Sequence, residues 1–426
     1  MVAVRAYVRH ALLMTQGEHE LPSSGAVRRP TLHRERARLP SLLRGPERTG
    51  RVSDVELFFD LVFVFAITQL SHALLKDLSV AGAVRTGLLL VMVWLVWVYT
   101  TWVTTWVDPE RLPTRAMLLV LALASLVFSA ALPEAFGDRG LVVGVAYGGM
   151  QVGRSCFAVG ALRGERQQRN FQRILCWCLA SGALAVSGGL LTGQARPVLW
   201  AAAVAVDLLG GSVGFATPGL GRSRTADWDI DPHHIAERCQ AFVLIALGES
   251  VVITGATLSE LRTVSAPAGV GVALAFAGAA GFWWVYFDRA SEAGAQVLAA
   301  AEDPGRLARS AYHLVHPILI AGIIVSAAAD ERVLAHPSRG AGAATSALLL
   351  GGTALFLGGH AAFKALLWRV VPWTRVLAAI ALLLLEPIVQ NLPAVTVSCF
   401  TLTALAVVSV ADRTQLGSRR HTPEHG

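Results

Sequence analysis

Charged residues are scarce in this sequence. Asp, Glu, Lys and Arg make up 15% of its 426 residues, against about a quarter in an ordinary soluble domain. That shortage excludes a conventional water-soluble globule of this length. Cysteine is sparse as well: Cys156, Cys176, Cys178, Cys239 and Cys399 lie in or beside apolar segments, and no C-x-x-C pair occurs. They read as packing residues rather than disulfide or zinc-site residues. No Walker A loop, G-x-S-x-G elbow, H-E-x-x-H pair or G-x-G-x-x-G with its following acid is present. ATP hydrolysis and nucleotide redox chemistry therefore lack support, and no cofactor is expected.

What the chain has is apolar length. Hydrophobic residues make up 54% of it, in runs near twenty long, and the mean hydropathy is +0.54. About twenty apolar residues cross a bilayer core, and in lipid the backbone must satisfy itself, so helices are expected. The fold class that follows is all-α: a polytopic transmembrane bundle of about 12 spans, with the lipid bilayer as its partner. The expected spans are 55–75, 84–107, 116–133, 141–161, 174–192, 197–217, 235–257, 267–288, 311–329, 342–363, 371–390 and 393–411. Residues 1–54 form a basic tail, read as disordered or as a misassigned start, with a short amphipathic helix over the first fifteen residues as an alternative. The membrane halves are 55–218 and 235–411, joined by a loop at 219–234 and followed by a tail at 412–426.

The formal net charge of +7 does not point to nucleic acid. With the N-terminus in the cytoplasm, inner loops, tails and inner span ends hold 28 of the 36 Lys and Arg and outer loops and span ends hold seven, with Arg154 deep inside a span. That asymmetry places both termini inside and makes the number of spans even. The halves also resemble each other. "WVYTTW" at 97–102 pairs with "WVYFDR" at 284–289, "FSAALPEAF" at 128–136 with "VSAAADERV" at 325–333, and "YGGMQVGRSCF" at 147–157 with "LGGHAAFKALL" at 357–367. Partners are six spans apart, so two parallel six-helix repeats are expected.

An ionisable group at bilayer depth costs roughly 2.5–3.5 kcal/mol on insertion scales and needs a reason. Glu56 and Asp60, four apart, share one helical face with Ser71. One reading makes Glu56 a helix cap beside Ser53 and Asp60 the partner of a basic neighbour; the other makes both functional. Glu249 sits near mid-span in "AFVLIALGESVVITGATL" and carries the strongest functional expectation. Arg238 shares its face but lies eleven residues away, too far for contact. Asp288 ends "GFWWVYFDR", where an interfacial aromatic belt also explains it. His313 and His316 share a face before Pro317, which frees a backbone carbonyl. Glu386, His360, Lys364 and Asp207 are further intramembrane polar positions.

"DWDIDPHH" at 227–234 offers Asp227, Asp229, His233 and His234 as weak metal candidates. A simpler reading has Asp231 as N-cap and Pro232 as first helical residue, so no metal is expected.

With "ELFFDLVFVFAITQLSH", "GES" within "FVLIALGESVV" and the "WWVYFD" segment, the chain resembles the bacterial low temperature requirement A family over about residues 52–411. The resemblance implies a bacterial multi-pass inner-membrane protein and assigns the family's motif positions to Glu56, Asp60, Glu237, Arg238, Gly248, Glu249, Ser250, Tyr286, Phe287, Asp288 and His316. It implies no agreed chemistry.

Three functional readings follow. In a proton- or cation-coupled transporter or channel-like protein, Asp60, Glu249, Asp288, Glu56 and His316 would do the coupling. In an intramembrane enzyme of terpene-cyclase type, the same carboxyls would be general acids toward an isoprenoid, in a cavity lined by Tyr99, Trp102, Trp284, Tyr286, Arg238 and His313. In a stress-related structural protein, they would only hold helices together.

Overall fold

Among the described residues every regular element is a helix, as the apolar runs require. The computed structural model describes residues 42–45, 52–224, 230–260, 265–288 and 290–419, within a unit that begins at Leu42. The amphipathic helix expected over residues 1–15, and Asp227 and Asp229, lie outside the described residues.

The helices are α1 (Asp54–Lys76), α2 (Val80–Trp106), α3 (Leu112–Ala131), α4 (Gly140–Ala161), α5 (Gln168–Leu190), α6 (Ala195–Ser212), α7 (Pro232–Glu260), α8 (Ala266–Phe287), α9 (Ala290–Ala299), α10 (Pro304–Ala308), α11 (His316–Ala335), α12 (Gly342–Trp368), α13 (Trp373–Val389) and α14 (Ala394–Arg419). Their starts follow from local chemistry. Ser53 and Glu56 form a reciprocal capping box on α1, and the Ser79 hydroxyl accepts from the Gly82 amide at 3.1 Å on α2. Asp231 accepts from the amides of His233 and His234, each at 3.1 Å, with Pro232 opening α7. That is the capping role expected for Asp231 and Pro232.

Nine segments among the described residues are long and apolar enough to cross a membrane: α1, α2, Leu112–Glu134, α5, Pro232–Ser259, α8, Pro304–Ala335, α12 and Ala394–Arg413. Helices α4, α6 and α13 occupy the other three expected positions without meeting that standard. Helix α6 has 18 residues and α13 has 17, roughly 25–27 Å at 1.5 Å per residue. Helix α4 is diluted by glycine, Gln151 and Arg154.

Each long helix keeps apolar residues on its outer face. On α1, Leu57, Phe58 and Leu61 are exposed while Glu56, Phe59, Asp60 and Phe63 are buried. In lipid, water supplies no drive for helices to associate, so close packing does the work. At the α4–α5 contact, a Cβ on Gly144 would come within 2.3 Å of the Ala185 carbonyl oxygen.

Two features depart from the sequence expectation. The loop expected over 289–310 holds α9 and α10. A π-helical turn, Arg309–Val315, then leads into α11. Pro317 cannot donate to the His313 carbonyl four residues back; the Trp94 indole N–H takes that carbonyl instead, at 2.7 Å.

Candidate functional site

The two acids of α1 meet α7 rather than each other. Arg238 donates through Nη1 to Glu56 Oε1 at 2.9 Å and through Nη2 to Asp60 Oδ1 at 2.5 Å. The Trp97 indole N–H donates to the same Asp60 oxygen at 2.6 Å, and His234 Nε2 lies 2.8 Å from Glu56 Oε1. Glu56 Oε2 accepts from the Ser53 hydroxyl and amide at 2.9 and 3.0 Å, with Arg44 Nη2 at 3.8 Å. All these side chains are buried, except the N-cap Ser53. Two carboxylates against two guanidiniums make a nearly neutral cluster that ties α1, α2 and α7 together. Glu56 is thus both the capping residue and one end of an ion pair, and Asp60 has a basic partner.

Glu249 is differently placed. It is fully buried on α7, about 16 Å along the helix from Arg238. The Thr68 hydroxyl of α1 donates to its Oε2 at 2.5 Å. Its Oε1 is buried with no hydrogen-bond partner. Among the described residues no cation reaches salt-bridge distance of it; His72 of α1 and Glu331 of α11 are the ionisable groups in electrostatic reach. Ser71, expected on the stripe of Glu56 and Asp60, is buried on α1 with its hydroxyl unpartnered.

His316 stands apart from both. Its Nδ1 lies 3.1 Å from the Ala311 carbonyl, which can only accept, so Nδ1 carries the proton. Nε2 then accepts from the Tyr286 hydroxyl at 2.9 Å. The ring stacks on Tyr312 with centroids 5.1 Å apart and meets Phe363 edge-on at 5.0 Å. Both nitrogens are satisfied. Asp288 lies 3.9 Å from Arg413, whose guanidinium sits 4.8 Å over the Trp284 ring.

Two further polar clusters lie between other helices. Asp207 of α6 accepts at Oδ2 from the Tyr147 hydroxyl and from Gln151 Nε2 of α4. Gln151 in turn accepts from Arg154 through its Oε1. Asp412 of α14 is held bidentately by Arg375 of α13 and lies 3.6 Å from Lys364 of α12. Arg375 also donates to His360 Nδ1 at 3.2 Å.

The structure thus unites Glu56, Asp60 and Arg238, pairs Tyr286 with His316, and separates these from Glu249 and Asp288. Tyr99, Trp102 and His313 line one cavity, and Trp284, Tyr286 and Arg238 do not. Trp284 is 40% exposed, because its side of α8 faces outward. Sequence reasoning passed over Arg44, Thr68, Tyr147, Gln151, Arg309 and Arg375. Only the last two carried a usable signal, as cations at the edges of apolar runs. His234, a weak metal candidate by sequence, is buried against Glu56. Among the described residues no group of three His, Cys, Asp or Glu side chains is arranged to hold a metal.

Comparison with known proteins agrees with a helical membrane protein. No solved structure matches the chain. An "Uncharacterized protein RA0937" of Rhizobium meliloti (strain 1021) is 38% identical over 330 residues, covering 76% of this chain and 80% of the relative. Residues 51–410 match the family described as Bacterial low temperature requirement A protein (LtrA), and this chain belongs to that family.

Proposed function

We propose that this membrane protein is a proton- or cation-coupled transporter or channel-like protein, with Glu249 as its coupling carboxylate. The observation that carries this reading is the buried Glu249 Oε1, which among the described residues has no hydrogen bond and no cation at salt-bridge distance. A carboxyl in that setting gains most by taking a proton or a cation. Glu56 and Asp60 already have Arg238, which makes them the fixed end of the same α1–α7 interface.

The neighbours of each helix support two parallel repeats. Helix α1 packs on α3 as α7 packs on α11, and α2 packs on α6 as α8 packs on α14. The buried cations and acids support the same relation: Arg154 and Asp207 on α4 and α6, joined through Gln151, match Lys364 and Asp412 on α12 and α14, which lie 3.6 Å apart. Helices α1 and α7 meet between the halves, and Thr68–Glu249 is one of their contacts. In this reading α4, α6 and α13 complete twelve spans, both termini face the cytoplasm of a bacterial inner membrane, and Glu249 lies in the outer half.

Reconstitution tests the reading. Purified protein in liposomes should dissipate an imposed proton or cation gradient, and a gradient no leakier than that of empty liposomes, for protons and for alkali cations alike, would remove it.

A further inference from the structure

A second site lies away from Glu249. A cavity between α2, α4, α5, α6 and the π-helical turn before α11 leaves about 80 Å³ for the centres of water molecules. That is roughly five to eight water positions, or about 160–240 Å³ of liquid, the size of one apolar amino acid. Its wall is mainly apolar and aromatic, with Trp102, Trp106 and Phe215 among the lining residues. Phe215 is held at φ +49°, a region bulky residues avoid, and its amide donates to the Gly210 carbonyl at 2.7 Å. Backbone strain of this kind gathers at ligand sites.

Two buried polar atoms of opposite character remain unpartnered on lining residues. Asp207 is 1% exposed; Tyr147 and Gln151 use its Oδ2 and the Ser181 hydroxyl is in reach of the carboxylate, while its Oδ1 has no donor at hydrogen-bond distance. Arg309 offers an Nε–H with no acceptor. Both residues line this cavity, and a Cβ on Gly211, one turn beyond Asp207, would stand 3.6 Å from Arg309 Nη1. Arg154, the other cation here, is already bonded to the Val96 carbonyl and Gln151. Leaving such atoms unmade costs about 1–3 kcal/mol each, more when charged. One ligand satisfies both if it carries an anionic acceptor and a cationic donor close together on an apolar body.

We propose that this cavity binds a small zwitterion of the apolar α-amino acid class. Its carboxylate meets Arg309, its ammonium meets Asp207, and its side chain lies against the Trp102 and Trp106 faces. The inference rests on the cavity alone and stands whether or not Glu249 couples transport.

Equilibrium binding of tritiated L-phenylalanine to the full chain in phosphatidylcholine nanodiscs tests it. Hydrocinnamate lacks the ammonium and phenethylamine lacks the carboxylate, so each should compete at least tenfold more weakly than unlabelled L-phenylalanine. Arg309→Gln should weaken L-phenylalanine binding tenfold or more and leave phenethylamine unchanged. Because the Arg309 side chain has no hydrogen-bond partner among the described residues, this variant should melt with the wild type. No saturable L-phenylalanine binding, equal competition by phenethylamine, or an indifferent Arg309→Gln variant overturns the proposal. Repeating the titration in phosphatidylglycerol nanodiscs separates a lipid site: if anionic lipid displaces the amino acid, the cavity is a headgroup site and the proposal fails.

Discussion

Arg238 holds Asp60 at 2.5 Å and Glu56 at 2.9 Å from the two ends of one guanidinium. One side chain of α7 therefore bridges two acids of α1 where water cannot, with Arg44 as the second cation beside Glu56. Among the described residues, removing it leaves Asp60 with no cation and Glu56 with Arg44 alone. Arg238→Met should destabilise the protein by about 3–5 kcal/mol, the usual cost of breaking a buried pair from one side. The combined change Asp60→Asn and Arg238→Met should cost less than Arg238→Met alone, because Glu56 keeps Arg44 as its cation and no acid is left without one. Thermal melts in detergent with a monodispersity check measure both.

The Trp94 indole replaces a donor that Pro317 lacks. Trp94→Phe should leave the His313 carbonyl bare and cost about 1–3 kcal/mol. Pro317→Ala restores a backbone N–H four residues on, so the double variant should recover part of the loss. A double-mutant cycle on melting midpoints shows the coupling; strict additivity would mean the carbonyl finds another donor.

Helices α4 and α5 approach through glycine. Gly144→Leu drives a side chain into the Ala185 carbonyl, whereas Gly149 has nothing within 4 Å of its would-be Cβ. The first substitution should abolish recovery of folded protein and the second should be tolerated in lipid. Equal yields would mean that α4 and α5 part without penalty.

These contacts show how far the sequence could be read. Twenty-residue apolar runs fix helices because lipid offers the backbone no other partner, so the bundle was legible from composition. The acids of α1 were legible as inward-facing because Glu56 and Asp60 repeat at helical spacing. Their partner was less so. Helical spacing relates Arg238 only to Glu249 on its own helix, while its contacts lie across the interface with α1, which no periodicity reports. His234 looked like a loop ligand because a single sequence does not say how far α7 extends toward α1. Trp284 and Trp102 have the same local chemistry, and only packing decides that one faces outward and the other lines a cavity.

Orientation can be tested without function. In a background with the five native cysteines replaced, Asp138→Cys before α4 should react only with reagent added outside the cell. Glu165→Cys after α4 should react only once the membrane is opened. Labelling of both from one side would remove α4 as a span and reverse the topology beyond it.

Proton flux in liposomes, wild type against Glu249→Gln, addresses the coupling role of Glu249 most directly. The glutamine keeps a carbonyl for the Thr68 hydroxyl, so the variant should fold and melt within a few degrees of wild type. Gradient-driven flux should fall at least tenfold. Wild-type flux carried undiminished by a folded Glu249→Gln protein would contradict the coupling role.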